Sequence, residues 1–151
     1  MIRPARPEEV DAIHRLVQDA YSHYVPRLGK PPGPMLDDYA RRVADRQVWV
    51  LDEGGTLAGI VVLEEAGDSA LLLDNVAVAP SVQGKGFGRA LVAFAEAEAR
   101  RRGHDEVRLY TNVVMTENLA LYGRLGFRET GRVSEKAYER VYMAKSTAEQ
   151  A

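Results

Sequence analysis

Gln83-Gly84-Lys85-Gly86-Phe87-Gly88-Arg89 combines two things an anion site needs. Glycines let a phosphate approach the backbone, and a helix that starts there has first-turn N–H groups with no acceptor of their own. The apolar run Leu71 to Val78 comes before, and an Ala-, Glu- and Arg-rich run to Arg102 comes after, so the pattern predicts strand, turn, helix. A dinucleotide fingerprint would need glycine where Arg89 stands. A Walker A loop would need Ser or Thr where Gly86 follows Lys85.

Asp74 and Asn75 interrupt the same apolar strand. A carboxylate in such surroundings tends towards a raised pKa, which suits a general base. Asp74 is therefore the candidate base, with Glu64, Glu65, Glu117 or a water as alternatives and an ordinary hydrogen-bonded strand residue as the plain reading. Asn75 reads on its own as a polar residue on a solvent face. His14, His23 and His104 lack metal-ligand spacing, and cysteine is absent, so no metal site, disulfide or thiol nucleophile is expected. A net charge of −2 gives no basic field for nucleic acid. No apolar run is long enough to cross a bilayer and Met1-Ile2-Arg3-Pro4 does not open a signal peptide, so a cytoplasmic protein is the expectation.

The elements that must position these groups follow from periodicity and turn chemistry. Ile2 to Pro4 is a short strand. Pro7, Glu8 and Glu9 open a helix whose apolar face is Val10, Ile13, Val17, Ala20 and Tyr21. The prolines between Ser22 and Pro34 exclude a regular element there, leaving a loop whose tyrosines and bases line a substrate entrance or simply connect. A second helix has Leu36, Tyr39, Ala40 and Val43 on one face. Gln47–Asp52 and Thr56–Glu65 form a hairpin about Glu53-Gly54-Gly55, and Gly67-Asp68 turns into the Leu71–Val78 strand. The helix from Phe87 to Arg102 buries Phe87, Leu91, Phe94 and Ala95. It pairs Glu96 with Arg100 and Glu98 with Arg102 on a solvated face, and ends at Gly103. The strand Glu106–Thr111 should lie parallel to Leu71–Val78 across that crossover. Thr116 caps a helix through Leu119 and Tyr122 to Leu125, Gly126 stops it, and Phe127 packs back. Strands Arg128–Arg132 and Tyr138–Lys145 follow, and Ser146 to Ala151 fray. With 151 residues and no dividing linker, residues 1–151 are expected to form a single domain.

Two motifs carry a family resemblance: Val76-Ala77-Val78-x-Pro80 with Gln83-x-x-Gly86-x-Gly88, and Asn118-x-x-x-Tyr122-x-x-x-Gly126-Phe127. With the element order, they resemble the GNAT superfamily of acetyl-CoA-dependent N-acetyltransferases. The opening Ile2-Arg3-Pro4-Ala5 is a weaker likeness. The resemblance implies an α+β fold with about seven strands in a mixed, mostly antiparallel sheet, four helices, and a parallel pair splayed at a cofactor cleft. It implies acetyl-CoA as co-substrate, with no metal. Val76, Ala77 and Val78 would meet the pantetheine arm. Gln83, Gly84, Lys85, Gly86, Phe87, Gly88 and Arg89 would surround the pyrophosphate, and Asn118 and Tyr122 would contact the arm from the other side. It implies Tyr122 as the acid for the departing thiolate, against a core tyrosine as the plain reading. It places a bulge at Asn75 and gives the backbone N–H of Val76 as oxyanion donor. The family's glutamate position falls on Leu72, which weakens the transfer of its base.

Tyr21, Tyr24, Arg27, Asn75 and Thr111 are the candidate substrate contacts. Tyr21, Tyr24, Arg27 and Lys30, with Arg132 and Lys136 in a late loop, hint at a small acceptor carrying a carboxylate. The expected reaction is acetyl transfer to a primary amine of a small molecule or peptide by direct attack in a ternary complex. The alternative is a non-catalytic acyl-CoA-binding module. A homodimer through the late strands is common in the family.

Overall fold

The helical repeat near the start and the short apolar runs separated by glycine turns after Gln47 lay out a mixed α and β chain. The structure is a computed structural model that describes residues 1–67 and 69–148. Its strands are Ile2–Pro4 (β1), Val48–Glu53 (β2), Thr56–Ala66 (β3), Ala70–Val78 (β4), Glu106–Asn112 (β5), Arg128–Glu135 (β6) and Tyr138–Ser146 (β7). Its helices are Val10–Tyr21 (α1), Tyr24–Leu28 (α2), Tyr39–Ala44 (α3), Phe87–Arg101 (α4) and Thr116–Arg124 (α5). The strands form one seven-stranded sheet in the order β1-β2-β3-β4-β5-β7-β6. β1–β2, β2–β3, β5–β7 and β6–β7 pair antiparallel, whereas β4 and β5 pair parallel over Ala70–Leu73. The α+β fold with its parallel pair is the one expected.

The chain packs as two units, each woven from two stretches. The first is Met1–Leu63 with Asn75–Phe94, and the second is Glu64–Asp74 with the described residues from Ala95 onward. The divisions fall inside β3, β4 and α4, where no linker composition could mark them.

In the first unit, α1 buries Ile13, Val17, Ala20 and Tyr21 as its periodicity predicts, and Leu16 besides, while Val10 is only half-buried. Arg3 clamps β1 to Glu9 at 2.8 Å and to Asp52 at 3.0 Å. Gly54 and Gly55 turn the β2–β3 hairpin at φ 60 and 93, both left-handed, as a two-residue hairpin loop requires. Gly59 lets β3 and β4 close together: a Cβ there would sit 2.9 Å from both the Ala77 carbonyl oxygen and Leu91 Cδ1.

In the second unit, β7 lies between β5 and β6, and α5 ends on a Schellman cap. The Phe127 N–H donates to Tyr122 O at 3.0 Å and the Gly126 N–H to Gly123 O at 3.1 Å, with Gly126 at φ 96. Phe127 packs edge-on against Tyr122 at 5.8 Å.

Five expectations are corrected. The 22–34 segment contains a helix, α2, because Pro26 falls in its first turn, where a missing N–H breaks no helical bond. Among the described residues there are therefore five α-helices, not four. α3 begins at Tyr39, capped by Asp38 (Arg41 N–H to Asp38 Oδ1, 3.1 Å), which leaves Leu36 and Ala40 exposed. Thr116 is the first helical residue of α5 rather than its cap, and its hydroxyl donates to Glu117 at 2.9 Å. Glu96 does not pair with Arg100 on a solvated face: it is 3% exposed and lies 2.6 Å from Lys145 Nζ. β6 runs on to Glu135, because Lys136 and Ala137 adopt φ 51 and 64 and make the hairpin turn. Arg132 therefore stands in a strand rather than a late loop.

Candidate active site

β4 delivers the glycine turn within the first unit. The Ala79 N–H donates to Ala58 O on β3 at 2.8 Å. Backbone groups alternate edges along a strand, so those of Val76 and Val78 face away from β3. The Val76 carbonyl accepts from Tyr21 Oη at 3.0 Å, and the Val78 carbonyl from Gln83 Nε2 at 3.3 Å. After a short turn at Pro80–Val82, Gly84 and Gly86 take φ 86 and 84, and no atom lies within 4 Å of where either Cβ would be. The first rung of α4 is Ala90 N–H to Gly86 O at 3.0 Å, so the N–H groups of Phe87, Gly88 and Arg89 precede the ladder. Gln83, Gly84, Lys85, Gly86 and Arg89 are exposed, Val76, Val78 and Phe87 half-buried, and Ala77 buried. An open turn ending in free N–H groups and flanked by two cations can hold a diphosphate.

Tyr21, Tyr24, Arg27 and Asn75 also lie in the first unit. Asn75 is 3% exposed, which overturns its reading as a solvent-face residue. Its Oδ1 accepts from Tyr21 Oη at 2.6 Å, its Nδ2 donates to Tyr39 Oη at 3.1 Å, and Tyr39 donates to Pro34 O at 2.6 Å. This buried relay ties α1, α3 and the proline-rich segment to β4. Tyr24 is buried, with the His23 ring 3.9 Å and the Arg27 guanidinium 5.1 Å from its own ring.

Asp74, Thr111, Asn118 and Tyr122 lie in the second unit. Asp74 accepts from Tyr110 Oη at 3.3 Å. Burial first, and then the Asp74 charge, push the Tyr110 phenol up to about 12, so it stays a donor across the physiological range. Thr111 is buried and reaches Met115 Sδ at 3.5 Å, and half-buried Asn118 reaches the same sulfur at 3.7 Å. Tyr122 is 6% exposed. Burial pushes the Glu65 carboxyl up, but Arg102 and His104, each at 2.8 Å, outweigh it and hold the group below its ordinary range, which makes Glu65 a poor base. Among the described residues no three His, Cys, Asp or Glu gather as metal ligands, and no helix is long and apolar enough to cross a membrane.

Sequence reasoning missed Tyr110 and Tyr39. The alternation Arg108, Tyr110, Asn112 marks one face of β5, but the contact with Asp74 depends on strand pairing. Nothing local marks the role of Tyr39.

Residues 44–129 match the family model described as acetyltransferase (GNAT) domain. The N-acetyltransferase YvbK of Bacillus subtilis is 35% identical over 101 residues, 67% of this chain and 63% of YvbK. The chain thus spans less than two thirds of that relative's length. Among solved structures, the PaiA N-acetyltransferase of Thermoplasma acidophilum in complex with coenzyme A superposes with TM-score 0.80 at 16% identity, covering 97% of this chain and 98% of that one. The ribosomal-protein-S18-alanine N-acetyltransferase of Escherichia coli superposes with TM-score 0.79 at 22% identity, covering 100% and 96%.

Proposed function

The chain belongs to the GNAT acetyltransferase family, and from that premise we propose that it transfers an acetyl group from acetyl-CoA to a primary amine of a small molecule or peptide. The observation that carries this reading is the Gln83–Arg89 turn. Its helix-start N–H groups precede the first rung of α4, and space is open around both left-handed glycines. The N–H groups of Phe87, Gly88 and Arg89, with Lys85 and Arg89, hold the diphosphate. The outward backbone of Val76 and Val78 meets the pantetheine amides, and Asn118 contacts the same arm.

Acetyl-CoA supplies a thioester: the amine nitrogen bonds to the carbonyl carbon, the C–S bond breaks, and the thiolate leaves as free thiol. An alkylammonium with pKa near 10.4 is neutral in only roughly one part in 2,500 at pH 7, so the protein gains by removing its proton. Asp74 takes that proton, directly or through water, while Tyr110 steadies the carboxylate. The Val76 N–H donates to the oxygen that becomes negative during attack. Tyr122 returns a proton to sulfur. Tyr24 and Arg27 in the first unit and Thr111 in the second are the remaining acceptor-side candidates.

Calorimetry with acetyl-CoA and a thiol-release assay across an amine panel test this. Micromolar acetyl-CoA binding is expected, lost in Gly86→Glu and weakened at least tenfold in Arg89→Glu. Tyr122→Phe should bind normally and turn over at least tenfold more slowly. Absence of acetyl-CoA binding at millimolar ligand would dispose of the reading.

A further inference from the structure

One end of the β5–β7 ladder carries a buried donor with no acceptor among the described residues. The Val113 N–H donates to Glu139 O at 3.0 Å, so the neighbouring pair Asn112↔Arg140 is a non-hydrogen-bonded one, the kind whose side chains approach most closely. Asn112 is 7% exposed. Its Oδ1 accepts from the Val114 N–H at 3.1 Å, while its Nδ2 is buried without an acceptor among the described residues. Folded proteins seldom leave a buried amide in that state, and a ligand acceptor is one resolution of it.

Directly opposite stands Arg140. Its guanidinium lies over the Tyr110 ring at 4.5 Å and the Tyr138 ring at 5.5 Å, and Nη1 reaches Glu135 at 3.0 Å. Two rings, the Glu135 carboxylate and a bond to the Tyr142 hydroxyl fix the plane of the fork, whose five N–H donors those two oxygen-bearing partners cannot all occupy. The hydroxyl of the same Tyr110 donates to Asp74. A negative group and a positive group therefore stand one tyrosine apart, with an orphaned amide beside the positive one.

We infer that Asn112 Nδ2 and the Arg140 guanidinium form a carboxylate anchor for the acetyl acceptor, with Asp74 receiving its ammonium, so that the acceptor is a small zwitterion of the amino-acid type. This rests on the acetyl-transfer reading and adds the acceptor class to it. It moves the carboxylate contact from the Arg27, Lys30, Arg132 and Lys136 suggested by composition to a cross-strand pair of buried Asn112 and half-buried Arg140. Arg132 is already engaged with Glu129 at 3.0 Å.

The test titrates the ¹⁵N-labelled chain with the common L-amino acids and with their C-terminal amides, following the Asn112 side-chain amide and Arg140 Nε–H resonances. At least one free acid should shift both at a tenfold lower concentration than its amide. Asn112→Asp keeps an acceptor for the Val114 N–H but places a negative oxygen beside the anchor, and it should abolish the difference. Arg140→Lys keeps the charge without the fork and should reduce the difference severalfold. Equal response to acids and amides, or no response, overturns the anchor. Thiol release from acetyl-CoA on the same panel separates the two readings. Free acids that bind while no amine releases thiol would uphold the anchor and remove acetyl transfer, whereas equal rates on acids and amides would do the reverse.

Discussion

Glu96 looks on paper like one more solvated charge in an Ala- and Glu-rich helix, yet Lys145 and Glu96 side chains are 1% and 4% exposed and 2.6 Å apart. Lys145 Nζ also donates to the Leu125 carbonyl at 2.8 Å, so one ammonium ties α4, β7 and the end of α5. Removing one partner of a buried pair strands the other charge without water. Lys145→Met should therefore destabilise the chain by about 3–5 kcal/mol in urea unfolding, and the double change with Glu96→Leu should recover most of that. An unchanged urea midpoint for the single variant would refute this. Gly126 shares the arrangement: φ is 96, so Gly126→Ala strains the backbone, and its Cβ would lie 3.2 Å from Lys145 Cε, which would have to give by a few tenths of an ångström. Glu96 was misread because its partner comes from β7, far along the chain, and i,i+4 spacing offered a nearer one.

Elements defined by local chemistry were legible from the residues alone. The glycine hairpin of β2–β3, the stop at Gly126 and the strand–turn–helix around Gln83–Arg89 each depend on a few neighbouring positions. α2 was not legible, because proline reads as a breaker until its place in the first turn is known. In the candidate site the open glycine turn itself could be read for the same local reason. The Asp74–Tyr110 contact and the Asn112↔Arg140 pair could not, since both depend on which residues face each other across strands. Two predictions belong at this scale. Gly59→Ala should cost about 1–3 kcal/mol, because one of the two atoms its Cβ would meet at 2.9 Å is a backbone oxygen. Ala137→Gly should raise stability by about 1 kcal/mol, since alanine holds φ 64 in the β6–β7 turn and glycine adopts it without steric cost. Thermal melts of both variants decide; a neutral Gly59→Ala would mean that the sheet gives way there.

Across the molecule, ion pairing favours ionised carboxylates. Arg3 holds Glu9 and Asp52 below their ordinary ranges, and Arg132 does the same for Glu129. Bonds from Arg101 and then Arg102, against the opposing effect of burial, bring Glu98 from 4.5 to about 2. A depressed carboxylate stabilises the fold fully above its unfolded pKa, and the effect disappears as pH falls through the folded one. Urea midpoints should accordingly hold above about pH 5 and drop steadily towards pH 2, and Glu98→Gln should flatten the acid limb. A midpoint independent of pH between 5 and 2 would contradict this. The sheet order has a separate consequence for biosynthesis. Because β7 fills the place between β5 and β6, neither of those strands acquires that neighbour until Tyr138–Ser146 has left the ribosome. The first unit, whose stretches end at Phe94, can close while the second is still being translated. Until then the edges of β5 and β6 that β7 covers lack their partner, and an unpaired edge is a template for non-native strand pairing.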